Sequence, residues 1–335
     1  MKNPPILTLA STALLLVLGW AGIRSVQAVQ DKPTAAESPA KEGSSSEPPA
    51  KPAPAEATPE EVEKANALLV EARSRLEERQ SLQADLFQQI NAGQRKLTAE
   101  GTYLSGSPYP KLKLEYRIRI GTMQGTLLEV CDGQILHTAK TMGKVGAKDP
   151  TQEFSRRDVQ RILAARDNSL NLSVAGQGAE MGVGGLPAML ASIDRCMVGQ
   201  RITEEEFDGQ VCRVFHGVWD KEILKRYDDG LKENKARLVP FFPDGVQVFL
   251  TADTLVPVKF VYLKNDLDES GKIVGAHTLM SLELRNLKLD QPLPANTFEY
   301  VLPAKREEID VTNEFLNLIK NADKAFHSQP APAAK

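Results

Sequence analysis

The residues with the greatest chemical potential lie in Leu127 to Lys140, LLEVCDGQILHTAK, where Cys131, Asp132 and His137 fall within seven positions. A thiol and an imidazole so close in sequence suggest a nucleophile and its base, which requires hydrogen-bond reach between them. Asp132-Gly133 is a two-residue hairpin signal, and such a turn pairs Cys131 with Gln134, Val130 with Ile135, Glu129 with Leu136 and Leu128 with His137. Neighbours along a strand alternate in face, so Cys131 and His137 then emerge on opposite sides of the sheet. A bulged or three-residue loop would reverse that parity. The two-residue turn therefore argues against catalysis here.

Other catalytic and metal-binding patterns are absent from the sequence. The remaining histidines, His216, His277 and His327, stand without an HExxH, a CxxC or a carboxylate cluster at ligand spacing. Gly176 to Pro187, GQGAEMGVGGLP, lacks the Lys-Ser/Thr of a phosphate loop and reads as a flexible loop entering a helix. No GxSxG occurs, and no cofactor is implied. The expectation is a protein that is not an enzyme.

Composition narrows the class further. The 335 residues are 41% hydrophobic and 25% charged with a formal net charge of −3, enough to bury a core and no argument for a nucleic-acid partner. Residues 1–28 combine Lys2, an apolar run from Ala13 to Ile23 and a small-residue site at Val26-Gln27-Ala28, the pattern of a secretory signal. The rival is an uncleaved N-terminal anchor, since Ile6 to Ile23 approaches the length of a membrane span. Either reading exports the body to the periplasm or cell envelope, free or anchored at the inner membrane. Export makes disulfides relevant: Cys196 and Cys212 are candidates for a bridge, worth roughly 3 kcal/mol for a loop of about 15 residues, and two unbridged buried thiols are the equal alternative.

The elements that would position these residues are legible from periodicity. Residues 29–57 are Pro, Ala, Ser, Glu and Lys with little to bury, which predicts a disordered linker, and 327–335 a disordered tail. Residues 58–326 are expected to form one domain. Its first helix begins at Thr58, an N-cap with Pro59 and a capping box to Glu61, and buries Val62, Ala65, Leu69, Ala72 and Leu76. The period then changes to two, most clearly in Lys111 to Ile120. Strands are expected also at 82–90, 97–104, 126–131, 134–138, 201–207, 210–218, 246–251, 256–263 and 273–289. Their one-sided pattern indicates antiparallel sheet. The apolar parity slips between Leu284 and Leu287, predicting a bulge near Arg285 and Asn286.

Between the strands, helices are expected in SRRDVQRILAARD around Val159, Ile162 and Leu163 and in GGLPAMLASIDRCM around Leu186, Leu190 and Ile193. DKEILKRYDDGLKENKARL reads as a charged helical insertion, and a last helix follows Thr312 as its N-cap. Asp-Gly recurs at 132, 208, 229 and 244 because it is the preferred hairpin turn, not because the chain repeats.

The order of these features resembles the bacterial lipoprotein-carrier superfamily, the LolA-like, LolB-like and LppX-like envelope proteins. The resemblance is carried by the first helix, Phe87, Asp132-Gly133-Gln134-Ile135-Leu136, Leu255-Val256-Pro257, and Phe298, Tyr300, Pro303 and Asp310, and covers roughly residues 60 to 315. Two positions depart from the pattern: Ser107-Pro108-Tyr109-Pro110 stands where the carriers usually have Arg before Pro, and His137 replaces a hairpin aromatic. The middle is longer than in compact carriers, as in enlarged envelope members.

The resemblance implies an α+β, mainly β fold: a strongly curved antiparallel sheet, an incomplete barrel, wrapped round helices that cover an apolar cavity. Its implied ligand is a lipid or lipoprotein acyl chain, carried or sensed, with envelope proteins as further partners. Cavity-facing candidates are Leu112, Leu114, Tyr116 and Ile118 from one strand and Val258, Phe260 and Tyr262 from another. The alternative is an interaction or sensory module of the same fold with a filled core, because alternating apolar residues are what any half-buried strand shows.

Overall fold

The computed structural model describes residues 57–92, 95–167, 174–225, 243–317 and 320. The signal or anchor segment 1–28, all but the last residue of the 29–57 linker, the 327–335 tail, Asp229-Gly230 and most of the charged insertion lie outside the described residues, with only 221–225 of the insertion seen as a helical turn.

Twelve strands form one sheet: β1 (Ser81–Ala92), β2 (Arg95–Gly106), β3 (Lys111–Ile120), β4 (Met123–Cys131), β5 (Ile135–Lys144), β6 (Thr151–Asp158), β7 (Met197–Phe207), β8 (Gln210–Trp219), β9 (Gly245–Thr251), β10 (Pro257–Leu267), β11 (Ile273–Leu289) and β12 (Ile309–Asp310). Their spatial order is β12-β6-β5-β4-β3-β2-β1-β11-β10-β9-β8-β7, so the sheet is open, with β12 and β7 at its edges. Every pairing is antiparallel except the two-residue β12–β6 contact, which is parallel. Residues from strands as distant in this order as β4 and β9 join one apolar cluster with the helices, so the sheet curls round a shared interior as an incomplete barrel.

Helices α1 (Pro59–Glu77), α2 (Val159–Asp167) and α3 (Val174–Cys196) accompany it. Helix α1 starts as its sequence dictates. Thr58 Oγ1 accepts from the Glu61 N–H, and Glu61 accepts from the Thr58 N–H at 2.8 Å. Ala65, Leu68, Leu69, Ala72 and Leu76 are buried against β7, β8 and α3.

The bulge in β11 is present. Gln83 pairs with Lys288 but Asp85 with Arg285, Asn286 has φ 53°, and its amide donates to Asp85 Oδ2 at 2.7 Å. Asp208-Gly209 is the expected two-residue turn, with φ of 52° and 74° between the paired Phe207 and Gln210.

Several expectations need correction. Asp132-Gly133 does not close a two-residue turn: Cys131 pairs with Leu136 and Val130 with His137, a shift of the predicted register by two residues. Asp132 Oδ1 accepts from the Gln134 and Ile135 N–H groups and stabilises a longer loop. A two-residue shift preserves parity, so Cys131 and His137 still face opposite sides. Asp244-Gly245 is not a hairpin turn either, because the Asp244 carboxylate is held by Lys264 and the Asn265 N–H at the start of β9.

The segment from Ser155 to Asp158 is strand, not helix. It extends the sheet by pairing β6 with β5, and α2 begins only at Val159. The stretch from Gly176 to Pro187 is not a loop; its backbone is helical on both sides of a break at Gly185. Thr312 opens the helix at 312–317 but does not cap it with its hydroxyl, which accepts instead from the Asp158 N–H at 2.9 Å. Of the two open alternatives for Cys196 and Cys212, the structure has the unbridged, buried thiols. Cys196 belongs to the interior cluster, whereas Cys212 packs with Val214, Phe249, Val258 and Val261 in a second cluster on the other face of the sheet.

Candidate functional site

The inner face of the sheet is built by alternation. On β3, Leu112, Leu114, Tyr116 and Ile118 turn inward while Glu115, Arg117 and Arg119 turn outward. Phe260 and Tyr262 of β10 join them. Val258 does not: an irregularity between Pro257 and Lys259 turns it into the second cluster, so it is removed from the set of inward residues.

Helices α1 and α3 cover this face, and the remaining six candidates are packed against side chains, with exposures between 0% and 7%. Among the described residues they lie in one contiguous apolar cluster. What remains is a space of about 20 Å³ at the rim, where Leu76, Tyr103, Tyr109, Leu112, Gly184 and Pro187 meet.

The rim is a structural discontinuity. Gly185 has φ 59° and ψ −144°, a backbone conformation open to glycine and costly for other residues, and Pro187 follows it. The helix is thus broken where it crosses the mouth. One tie spans the break, from the Leu186 N–H to the Tyr103 hydroxyl at 3.3 Å. Tyr103, Tyr109 and the Gly184-Gly185 break were not among the sequence candidates; the available signal was Tyr103 continuing the inward alternation of Leu97 and Ala99, and Tyr109 in the Ser-Pro-Tyr-Pro turn between β2 and β3.

Electrostatics keep the interior neutral. Burial pushes the Tyr116 phenol well above its ordinary range, helped by the neighbouring Glu129, and burial does the same for Tyr262. Glu129 is the one carboxylate buried at the inner end of β4. Burial raises its pKa, and Arg157 opposes that shift by pairing with it at 2.7 Å. The Arg157 guanidinium also lies 4.7 Å from the Phe315 ring centre.

The Cys/His pair is disassembled. Cys131 faces the interior, its thiol pushed up to about 11 by burial, so it is protonated at neutral pH and a poor nucleophile. His137 lies on the outer face, stacked on Tyr300 at 4.6 Å with Nδ1 2.9 Å from Glu308. It fastens the C-terminal strap that runs from β11 across the outer face to β12. His216 is 2.8 Å from the Thr203 hydroxyl, His277 is 2.6 Å from Asp266, and His327 lies outside the described residues. Among the described residues no group of three His, Cys, Asp or Glu side chains is placed to hold a metal ion, and no helix is long and apolar enough to cross a membrane.

No family model matches the chain, and no curated protein matches it. Solved structures do. LprF from Mycobacterium bovis is 13% identical with a TM-score of 0.34, covering 72% of this chain and 97% of that one. Lipoprotein LppX from Mycobacterium tuberculosis is 10% identical with a TM-score of 0.27, covering 69% and 98%. A domain from Vibrio parahaemolyticus described as an outer membrane lipoprotein-sorting protein is 13% identical with a TM-score of 0.27, covering 71% and 97%.

Proposed function

We propose that this protein is a noncatalytic cell-envelope protein that takes up a lipid or lipoprotein acyl chain between the inner face of its sheet and α3. The observation that carries the reading is the broken cover: a continuous apolar face is closed by a helix interrupted at Gly185, directly over a mouth lined by Tyr103, Tyr109 and Leu112. Entry requires the cover to swing, because the six inward residues are buried against side chains in the closed state. Apolar burial contributes about 0.8 kcal/mol per methylene, so a dozen methylenes supply roughly 10 kcal/mol toward separating α3 from the sheet. The neutral, protonated phenols inside impose little desolvation cost on such a ligand.

The test is mass spectrometry of extracts from the purified chain together with titration by a fluorescent fatty acid. Stoichiometric lipid, or saturable probe binding, is expected. Tyr103→Phe removes the hydroxyl that holds Leu186 and should accelerate probe uptake. A folded protein that carries no lipid and binds no probe overturns the reading. The tight packing of the six inward residues favours a second reading, an envelope interaction module with a filled core, for which capture of a protein partner without lipid is the expected result.

A further inference from the structure

A second cavity lies on the face opposite the helices. It is a cleft of about 550 Å³ across β2 to β5, walled at one end by Ala147 and Pro150 of the β5–β6 loop. The strand register assembles it in two rows. Thr98, Arg119, Gln124 and Gly143 are aligned across the four strands, and so are Glu100, Arg117, Thr126 and Thr141. Lys144 joins them at the end of β5.

Three cations therefore share this cleft with one carboxylate, in a chain whose net charge is −3. Among the described residues, Arg117, Arg119 and Lys144 make no side-chain ion pair, although Lys113, on the same exposed face of β3, pairs with Glu115 at 2.9 Å. The two arginines are two residues apart on one strand, so their guanidinium groups leave the same face side by side. Each offers a planar fork of donors, the geometry that matches the oxygens of a phosphate. Hydroxyl groups from Thr126 and Thr141 add neutral donors beside them. A volume of this size exceeds that of a lone ion and falls in the range of small-molecule sites.

We infer that this cleft is an anion site for a phosphate ester, with Arg117 and Arg119 as the principal ligands and Lys144 as the charge at the rim. The phosphate has two available sources, a soluble phosphorylated molecule or the headgroup of an anionic phospholipid at a membrane surface. Because the sheet separates the cleft from α1 and α3, the site stands whether or not an acyl chain enters the interior.

The test uses the full chain with three probes at low salt: glycerol 3-phosphate by calorimetry, vesicles of phosphatidylcholine with about one-third phosphatidylglycerol, and vesicles of phosphatidylcholine alone. Variants are R117Q/R119Q, K144Q and, as a charge-matched control on distant strands, R201Q/R213Q. All these side chains are exposed, so the variants are expected to fold and melt like the parent. The parent should bind glycerol 3-phosphate, or the anionic vesicles over the neutral ones. R117Q/R119Q should weaken that binding about tenfold or more, K144Q less, and the control pair little. Phosphate-ester binding identifies a soluble source, and vesicle binding alone identifies the headgroup. Absence of both, or equal losses in R117Q/R119Q and R201Q/R213Q, overturns the assignment.

Discussion

Glu129 and Arg157 are the residues whose chemistry is most constrained by position, since both side chains are about nine-tenths buried and each is the other's counter-charge. Arg157→Leu leaves Glu129 without that partner in an apolar setting, and a loss of about 3–5 kcal/mol is expected at neutral pH. The pH dependence has a definite sign. Burial already raises the folded pKa of Glu129, and loss of Arg157 raises it further. A carboxyl so shifted favours folding below its unfolded value, about 4.3, and that advantage is lost as pH rises through the folded pKa. Urea midpoints of the variant should therefore approach those of the parent near about pH 4.5 and fall away from them near about pH 7.5. A deficit independent of pH would show that the lost Phe315 contact, not the charge, dominates.

At the scale of elements, the β2–β3 pair shows how closely backbone geometry is matched to sequence. Gly101 pairs with Tyr116, and a Cβ at position 101 would strike the Glu115 carbonyl oxygen. Gly101→Ala is expected to destabilise by about 1–3 kcal/mol through displacement of β3, whereas Thr102→Ala next to it should change stability by less than about 1 kcal/mol. Denaturant midpoints of the two variants measure the difference. The same strand pair carries the inward residues on one face and Arg117 and Arg119 on the other, so a shift of β3 would disturb both faces at once. The capping box of α1, the β11 bulge and the Asp208-Gly209 turn were legible because each is written within a few consecutive residues. The start of α2 was not: Ser155 to Asp158 carry no strand pattern, and only pairing with β5 makes them one.

Over the whole molecule, the sheet is stabilised from its middle. β1 is paired along its length with β2 and along most of it with β11, whereas β12 is held by two residues at one edge. Amide exchange should accordingly be slowest in β1 and β2 and fastest in β12, with the β7 edge also faster than the centre. Uniform protection across all twelve strands would contradict this gradient. The exposed β7 edge carries Glu204, Glu205 and Glu206, which discourage pairing with a second sheet.

What the sequence determined by itself was local: which residues of most strands lie on the dry side, where α1 begins and where β11 bulges. Period-2 alternation reports that one side of a strand is shielded from water but not what shields it. For that reason Leu112 and Phe260 were identifiable as buried, while the choice between a ligand chamber and a core filled by α1 and α3 was not. Alternation places Val258 on the inner face, but an irregularity in β10 turns it outward. Only the tertiary structure separated Cys196 from Cys212 by the thickness of a sheet, set the break at Gly185 over Tyr103, and aligned Arg117 and Arg119 with hydroxyl groups from two further strands. Each of these depends on pairing or packing between separate elements, which no pattern within one element encodes.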